Sequence, residues 1–173
     1  MAALISVWYQ TNPKGTHTVT KDEFSEQVLS SERTLYCVAR TYLTQEADCA
    51  DCVQEALVKA WNALPTLREE RYFKTWLIRI LINECKKTVR DRRRLIPTET
   101  FADSAAPDSA DGEIYALLKA LPEKYRVPAV MHYVGGYSLE EIGRALRLPM
   151  GTVKNRLFRA REKLKISMQE EAL

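Results

Sequence analysis

Apolar residues along this chain recur at spacings of three and four, a pattern that predicts helices, with no strand and no internal repeat. A first helix fits Asp22 to about Tyr42, with Phe24, Val28, Leu29, Leu35, Tyr36 and Ala39 as its apolar stripe. Thr44 is placed to cap the next helix, because its side-chain oxygen can accept from an early backbone N–H. That second helix runs to about Ala63 and is stopped by Pro65; Val53, Ala56, Leu57, Ala60, Trp61 and Leu64 share one face. After a short loop over Thr66 to Arg71, a long third helix is expected from Tyr72 to about Arg94, carrying Trp76, Leu77, Ile80, Leu81 and Val89. It is rich in Ile but too long for one strand, and its last third is almost entirely charged.

The periodicity then lapses. Leu95 to Gly112 holds two prolines, many small polar residues and only acidic charges, the composition of a flexible linker. Beyond it, Glu113 to Leu121 reads as a short helix, and Pro122 can open another, since its missing N–H is not needed in a first turn. Gly135-Gly136 ends that helix. Ser138-x-x-Glu141 is a capping box that opens a third, and Leu148-Pro149 breaks it. A fourth begins at Gly151 or Thr152 and runs to about Met168. The segment before all of these, Met1 to Lys21, has no helical period and contains Pro13 and Gly15, so it is expected to be a loose tail. The expected architecture is all-α: a tail (1–21), a helical domain (22–94), a flexible acidic linker (95–112) and a second small helical domain (113–173).

Net charge, at +3, is too small to indicate a partner, but its distribution is informative. Asp22 to Thr66 carries −5, Leu67 to Arg94 carries +6, Leu95 to Glu113 carries −5, and Ile114 to Leu173 carries +5. Two basic blocks imply a polyanion, and the acidic block ahead of them implies a partner of another kind. No apolar run approaches the roughly 20 residues needed to cross a bilayer. Met1 to Tyr9 lacks the basic lead and cleavage site of a secretory signal, so a cytoplasmic protein without membrane contact of its own is expected.

The C-terminal block has a recognisable layout. Ser138 to Lys163 gives a short capped helix, a tight turn and a basic helix, which is a helix-turn-helix. Val153, Leu157, Ala160 and Leu164 fall on one face and are expected to pack on Ile142 and Leu146. The opposite face shows Lys154, Asn155, Arg159 and Lys163, and six of the residues from Thr152 to Lys165 are basic against one acid. Such a helix fits a major groove about 12 Å wide, its first turns at base edges and its later cations at phosphates.

Chemistry of other kinds finds little support. Cys49-x-x-Cys52 has the spacing of half a zinc or redox motif, yet no second pair follows and the histidines are His17 and His132 alone. Both cysteines lie in a helical stretch, and they are expected to pack as small apolar residues. There is no H-E-x-x-H, no glycine-rich phosphate loop and no nucleophile motif, so neither an enzyme nor a cofactor is expected.

The N-terminal half narrows the class of DNA-binding protein. Asp51-Cys52-Val53-Gln54-Glu55 with Trp61, followed by Phe73-Lys74-Thr75-Trp76-Leu77, Ile80 and Asn83, resembles region 2 of extracytoplasmic-function sigma factors of the sigma-70 family. Leu121-Pro122-Glu123-Lys124-Tyr125-Arg126 and Pro149-Met150-Gly151-Thr152-Val153-Lys154-Asn155-Arg156 resemble that family's region 4. The resemblance spans about residues 22–168 in the family's order.

It implies a transcription initiation factor that binds core RNA polymerase and directs it to promoter DNA. Asp51, Gln54, Glu55 and Lys59 would grip the polymerase. Arg68, Arg71, Tyr72, Arg79, Asn83, Lys86, Lys87 and Arg90 would read and follow the downstream (−10) element, with Arg92, Arg93 and Arg94 beside them on the backbone. His132, Thr152, Lys154, Asn155, Arg156, Phe158, Arg159 and Lys163 would take the upstream (−35) element. Trp76 is expected in the core, and Phe158 is left open between core and DNA. His132 departs from the family, which has an arginine there, and the tail 1–21 has no family counterpart. The resemblance also implies a cognate anti-sigma factor. The alternative, a stand-alone helix-turn-helix regulator, leaves the two N-terminal signatures unexplained.

Overall fold

The computed structural model describes residues 19–67, 69–95, 118 and 120–170, and among them every element is helical. The expected tail up to residue 18, the linker from 96 onward, Arg68 and most of the helix expected over 113–121 lie outside the described residues.

Helix α1 spans Lys21–Arg40, α2 spans Glu46–Ala63 and α3 spans Phe73–Leu95, with short 3-10 turns at Leu64–Thr66 and Glu70–Tyr72 between the last two. The start of α1 is more sharply defined than its apolar stripe suggests. Thr20 and Glu23 form a capping box in which each side chain accepts from the other residue's backbone N–H. The cap of α2 differs from expectation: Gln45 holds the position, without a side-chain bond, and Thr44 lies one residue outside it. The acids Glu46 and Asp48 in the first turn instead complement the helix dipole.

The three helices close over an apolar core in which Phe73, Leu35, Leu77, Ile78 and Leu81 are fully buried. Phe24 joins all three: its ring meets the Trp61 ring edge-on at 5.0 Å and the Phe73 ring at 5.4 Å. Trp76 is half-buried, its ring 5.9 Å from that of Phe73, which places it at the margin of this cluster. The buried face of α2 is built from Cys49, Cys52, Val53, Ala56 and Ala60. Such small side chains let α2 lie closely against α3, the most extensive helix pairing among the described residues. Leu29 departs from the expected stripe, at 62% exposed. The stripe of α1 passes instead through Ser31, Thr34 and Val38. Ser31 and its neighbours tolerate this because the Ser31 hydroxyl donates to the Gln27 carbonyl at 2.8 Å.

The C-terminal half begins with α4, Glu123–Ala129, capped by Pro122 as its position suggests. Pro128 lies inside α4 and has no N–H to give the carbonyl four residues back. The chain widens directly afterwards into a π-helical turn, Val130–Val134, in which Gly135 N–H donates to Val130 O at 3.1 Å. Gly135 is needed for closeness: a Cβ there would stand 2.7 Å from the Thr34 methyl of α1 and from the Tyr137 ring. Helix α5, Leu139–Leu146, opens on the anticipated Ser138–Glu141 capping box, with N–H···O distances of 2.8 and 3.2 Å. It ends at Arg147, whose φ of 55° is left-handed. Pro149 then precedes α6, Met150–Glu170, which starts one residue earlier than its glycine suggests. Val153, Leu157 and Ala160 of α6 are buried with Ile142, while Leu146 and Leu164 are half-buried at the edge, as the spacing predicts. The two halves touch: α1 packs on the π turn and α3 on α5. Among the described residues no helix is long and apolar enough to cross a membrane.

Candidate nucleic-acid interface

Three helix faces carry the residues singled out from the sequence. On α2, Asp51, Gln54 and Glu55 are exposed and share a face, because three and four residues apart is one turn. Lys59 lies on the same side but is not free-standing. Its ammonium pairs with Glu84 of α3, so it belongs to the seam between the two helices.

On α3, Asn83, Lys86, Lys87, Arg90 and Arg94 are exposed. With Arg79 they fall at i, i+4, i+7, i+8, i+11 and i+15, one continuous stripe opposite the buried face of Phe73, Leu77, Ile78, Leu81 and Cys85. At a rise of 1.5 Å per residue the stripe is roughly 22 Å long, enough to follow several phosphates of one strand. Tyr72 and Arg71 stand at its N-terminal end, the Arg71 guanidinium 4.8 Å from the Tyr72 ring centroid and 2.6 Å from the Glu69 carboxylate.

Three expected contributors to this stripe, Arg79, Lys86 and Arg92, are engaged inside the molecule. Arg92 pairs with Asp48 of α2. Arg79 reaches across to the C-terminal half, where it donates to the carbonyls of Arg144 and of Ala145, the latter at 3.4 Å. These carbonyls belong to the last turn of α5, which has no intrahelical donors for them and carries negative dipole charge. Burial in this contact, with Arg147 nearby, lowers the Arg79 pKa from its ordinary value. Arg144 answers from the other side, its guanidinium 4.2 Å above the Tyr72 ring and its Nη2 2.6 Å from Glu140. Lys86 lies 3.8 Å from Glu123 of α4. Nothing in the sequence pattern couples Arg79 to residues 65 positions away; only the packing of α3 on α5 does.

On α6, Lys154, Asn155, Phe158, Arg159 and Lys163 are exposed, and Thr152 and Arg156 are half-buried. Phe158, left open by the sequence, stands 57% exposed and is therefore not a core residue. His132 is half-buried in the π turn. Its Nδ1–H donates to the Tyr137 carbonyl at 2.9 Å, because a carbonyl can only accept, so Nε2 is the ring atom left for an outside partner.

Cys49 and Cys52 are buried as expected, and their sulfurs have different neighbours. Cys49 Sγ faces the Leu43 carbonyl at 3.8 Å, while Cys52 Sγ lies 3.2 Å from Cys85 Sγ of α3. The sequence reading does not single out Cys85; its place four residues after Leu81 on the apolar face is the signal that marks it as buried, while its meeting with Cys52 appears only in the helix packing. Among the described residues no group of three or more His, Cys, Asp or Glu is placed to hold a metal.

Comparison with known proteins identifies the family. The profile of Sigma-70 region 2 matches residues 28–95, and that of Sigma-70, region 4 matches residues 111–164. The ECF RNA polymerase sigma-E factor of Escherichia coli K12 is 31% identical over 142 residues, covering 70% of this chain and 74% of that protein. RNA polymerase sigma-H factor of Pseudomonas aeruginosa is 28% identical over 169 residues, covering 86% and 88%. Among solved structures, sigma factor RpoE in complex with the anti-sigma factor NepR from Bartonella quintana superposes with a TM-score of 0.72 at 25% identity, covering 87% of this chain and 98% of that one. Helices α1 to α3 are a sigma region 2 and the fold around the helix-turn-helix is a region 4, so this chain belongs to the extracytoplasmic-function sigma factors of the sigma-70 family, transcription initiation factors that direct RNA polymerase to promoters.

Proposed function

We propose that the three exposed faces divide the work of this sigma factor. The acidic face of α2, Asp51, Gln54 and Glu55 with Lys59 at its margin, takes core RNA polymerase. The stripe of α3, with Arg71 and Tyr72 at its head, takes the −10 element, to which Arg68 also contributes: Asn83 reads a base edge, and Arg79, Lys86, Lys87 and Arg90 follow phosphates. The outer face of α6, with Thr152, Lys154, Asn155, Arg156, Phe158, Arg159 and Lys163, takes the −35 element, joined by His132 from the π turn. Residues 22–94 and 113–173 act as the two domains, with 95–112 as their tether. The chain does no chemistry of its own, acts in the cytoplasm and is held in check by a cognate anti-sigma factor. The last point is supported by the likeness to a sigma factor solved with its anti-sigma factor.

The observation that carries this reading is the sorting of charge by helix face. An acidic face on α2 and a basic stripe on α3 stand on neighbouring helices of one domain, each exposed and each opposite its own buried face. The closed contact between α3 and α5 adds a condition. Tyr72 and Arg79 are partly covered by Arg144 and the end of α5, so −10 binding requires the halves to separate.

Glu55→Lys tests the assignment. Glu55 is exposed and off the core, so the variant should fold normally, lose at least tenfold in affinity for core polymerase, and keep the wild-type affinity for −35 duplex. Core polymerase binding at wild-type strength would remove α2 from the polymerase-gripping role. Run-off transcription on a promoter library then reports the whole function.

A further inference from the structure

One close approach of two reactive side chains among the described residues lies apart from the proposed DNA-binding faces. Cys52 on α2 and Cys85 on α3 are both buried and neither is in a disulfide, yet their sulfurs are 3.2 Å apart, inside van der Waals contact and with one S–H donating to the other sulfur. We propose that Cys52 and Cys85 form a reversible dithiol–disulfide site, oxidised by a hydroperoxide, that joins α2 covalently to α3.

The surroundings assign the two sulfurs different parts. The Cys85 thiol and, beside it, the Thr88 hydroxyl can donate to Cys52 as a thiolate, and the Lys59 ammonium lies near enough to favour the negative charge. Together, the Cys85 hydrogen bond foremost, they bring Cys52 below the ordinary thiol value against the opposing effects of burial and of the Glu84 carboxylate that pairs with Lys59. Cys85 is held protonated by the same hydrogen bond and by its complete burial. Cys52 is thus the attacking sulfur and Cys85 the resolving one. Cys49 does not compete: burial pushes its thiol up to about 11, and its sulfur faces the Leu43 carbonyl.

The chemistry balances without any group beyond the oxidant. The Cys52 thiolate attacks the terminal oxygen of ROOH, the O–O bond breaks, and Cys52 becomes a sulfenic acid while the alkoxide leaves with a proton as ROH. Cys85, giving up its proton, attacks the Cys52 sulfur; the S–S bond forms, the S–O bond breaks, and hydroxide leaves with that proton as water. Two thiols and one hydroperoxide give one disulfide, one alcohol and one water, and a dithiol reductant reverses the change. The sulfurs need to close by about 1.2 Å to reach a disulfide bond of about 2.05 Å. Cys52 and Cys85 stand on two helices that pack directly on one another, so the closure is between side chains of a formed helix–helix contact. Cross-linking positions 33 residues apart restricts the unfolded chain, so the oxidised protein is the more stable form. The inference rests on the sulfur geometry, not on the assignment of the DNA and polymerase faces.

The test exposes the full folded chain to stoichiometric hydrogen peroxide, followed by non-reducing digestion and mass spectrometry. Peptides bearing Cys52 and Cys85 should be joined and lighter by two hydrogen atoms, and dithiothreitol should restore them. Tm should rise by several degrees on oxidation in wild type and not at all in Cys85→Ala. In that variant a sulfenic-acid probe such as dimedone should label Cys52; Cys85→Ser serves the same purpose if the alanine variant does not fold by circular dichroism. A Cys49–Cys52 bond, an intermolecular bond, or a Cys52–Cys85 bond that appears only in urea would overturn the proposal, as would reaction confined to Cys37.

Discussion

The proposed placement of α6 in DNA makes a quantitative demand on two residues of one helix. Asn155 and Lys163 are both exposed and eight residues apart, which is about 12 Å along the axis at 1.5 Å per residue. A major groove is about 12 Å wide, so when Asn155 lies against the base edges, Lys163 has reached the groove wall and its phosphates. Their losses should therefore differ in kind. Asn155→Ala removes an amide that can pair with one base edge, worth about 1–3 kcal/mol of discrimination, or roughly 5- to 150-fold between the preferred base and its competitors. Lys163→Ala removes one cation from the phosphates, which weakens all sequences alike and reduces the slope of log K against log salt by about 0.9. Neither residue touches the core of the C-terminal domain, so thermal stability should move little in either variant.

Fluorescence anisotropy of the full chain on a panel of −35 duplexes, each measured across salt concentrations, separates the two behaviours. Asn155→Ala should reorder the panel at nearly unchanged salt slope, and Lys163→Ala should preserve the order while flattening the slope. If Asn155→Ala scales every duplex by one factor and Lys163→Ala reorders them, the helix enters the groove from its other end and the assignment of Thr152, Lys154 and Arg159 falls with it.

Three further outcomes follow from the packing. Arg79→Ala removes the donor to the last turn of α5, so in the absence of DNA small-angle scattering should show an increased radius of gyration; an unchanged radius means that other contacts hold the halves together. Gly143→Ala places a Cβ 2.8 Å from the Leu148 carbonyl oxygen, backbone that cannot swing aside, and should cost about 1–3 kcal/mol, read as a lower urea midpoint together with weaker −35 binding. Phe73→Ala empties the centre of the aromatic cluster shared by α1, α2 and α3, with an expected loss of about 3–5 kcal/mol and of near-ultraviolet circular dichroism; a loss under 1 kcal/mol would mean the cluster collapses around the gap.

What the sequence made legible was whatever is decided within one or two helical turns. The Ser138–Glu141 box, the Pro65 stop, the start at Pro122 and the end at Gly135 are local devices, and each stands where the residues indicate. The buried face of α6 was equally readable, because period 3.6 fixes which positions share a side. Errors came where a choice depends on a neighbour. Leu29 satisfies the spacing of α1 yet has no helix opposite it, whereas Ser31 and Thr34 face the packed interior. Thr44 is chemically as good a cap as its competitor, but the chain turns at Gln45. The candidate residues themselves came from the family resemblance and the polar faces of the expected helices; the pairings Arg79 to α5, Arg92 to Asp48 and Cys52 to Cys85 join positions tens of residues apart and exist only once the helices are stacked.

The same long-range pairings bear on how a promoter-binding protein avoids idle contacts. Arg79 cannot donate to the carbonyls at the end of α5 and to a phosphate at once, and the Tyr72 ring cannot stack on a base while Arg144 covers it. In the proposed roles of these residues, any −10 binding by the closed chain must first break these contacts. A hydrogen bond from a charged donor contributes about 1.5–3 kcal/mol, so the Arg79 contact alone would lower apparent −10 affinity by roughly 10- to 150-fold unless something else separates the halves. The proposed −35 face of α6 meets no such obstacle, since Lys154, Asn155 and Arg159 stand exposed in the closed form. A surface that binds region 2 and region 4 at separated positions supplies the opening energy once, from its own contacts, and both elements then become readable together. The coupling is reciprocal: whatever stabilises the open chain strengthens −10 binding by the same factor that −10 DNA strengthens its hold on the chain.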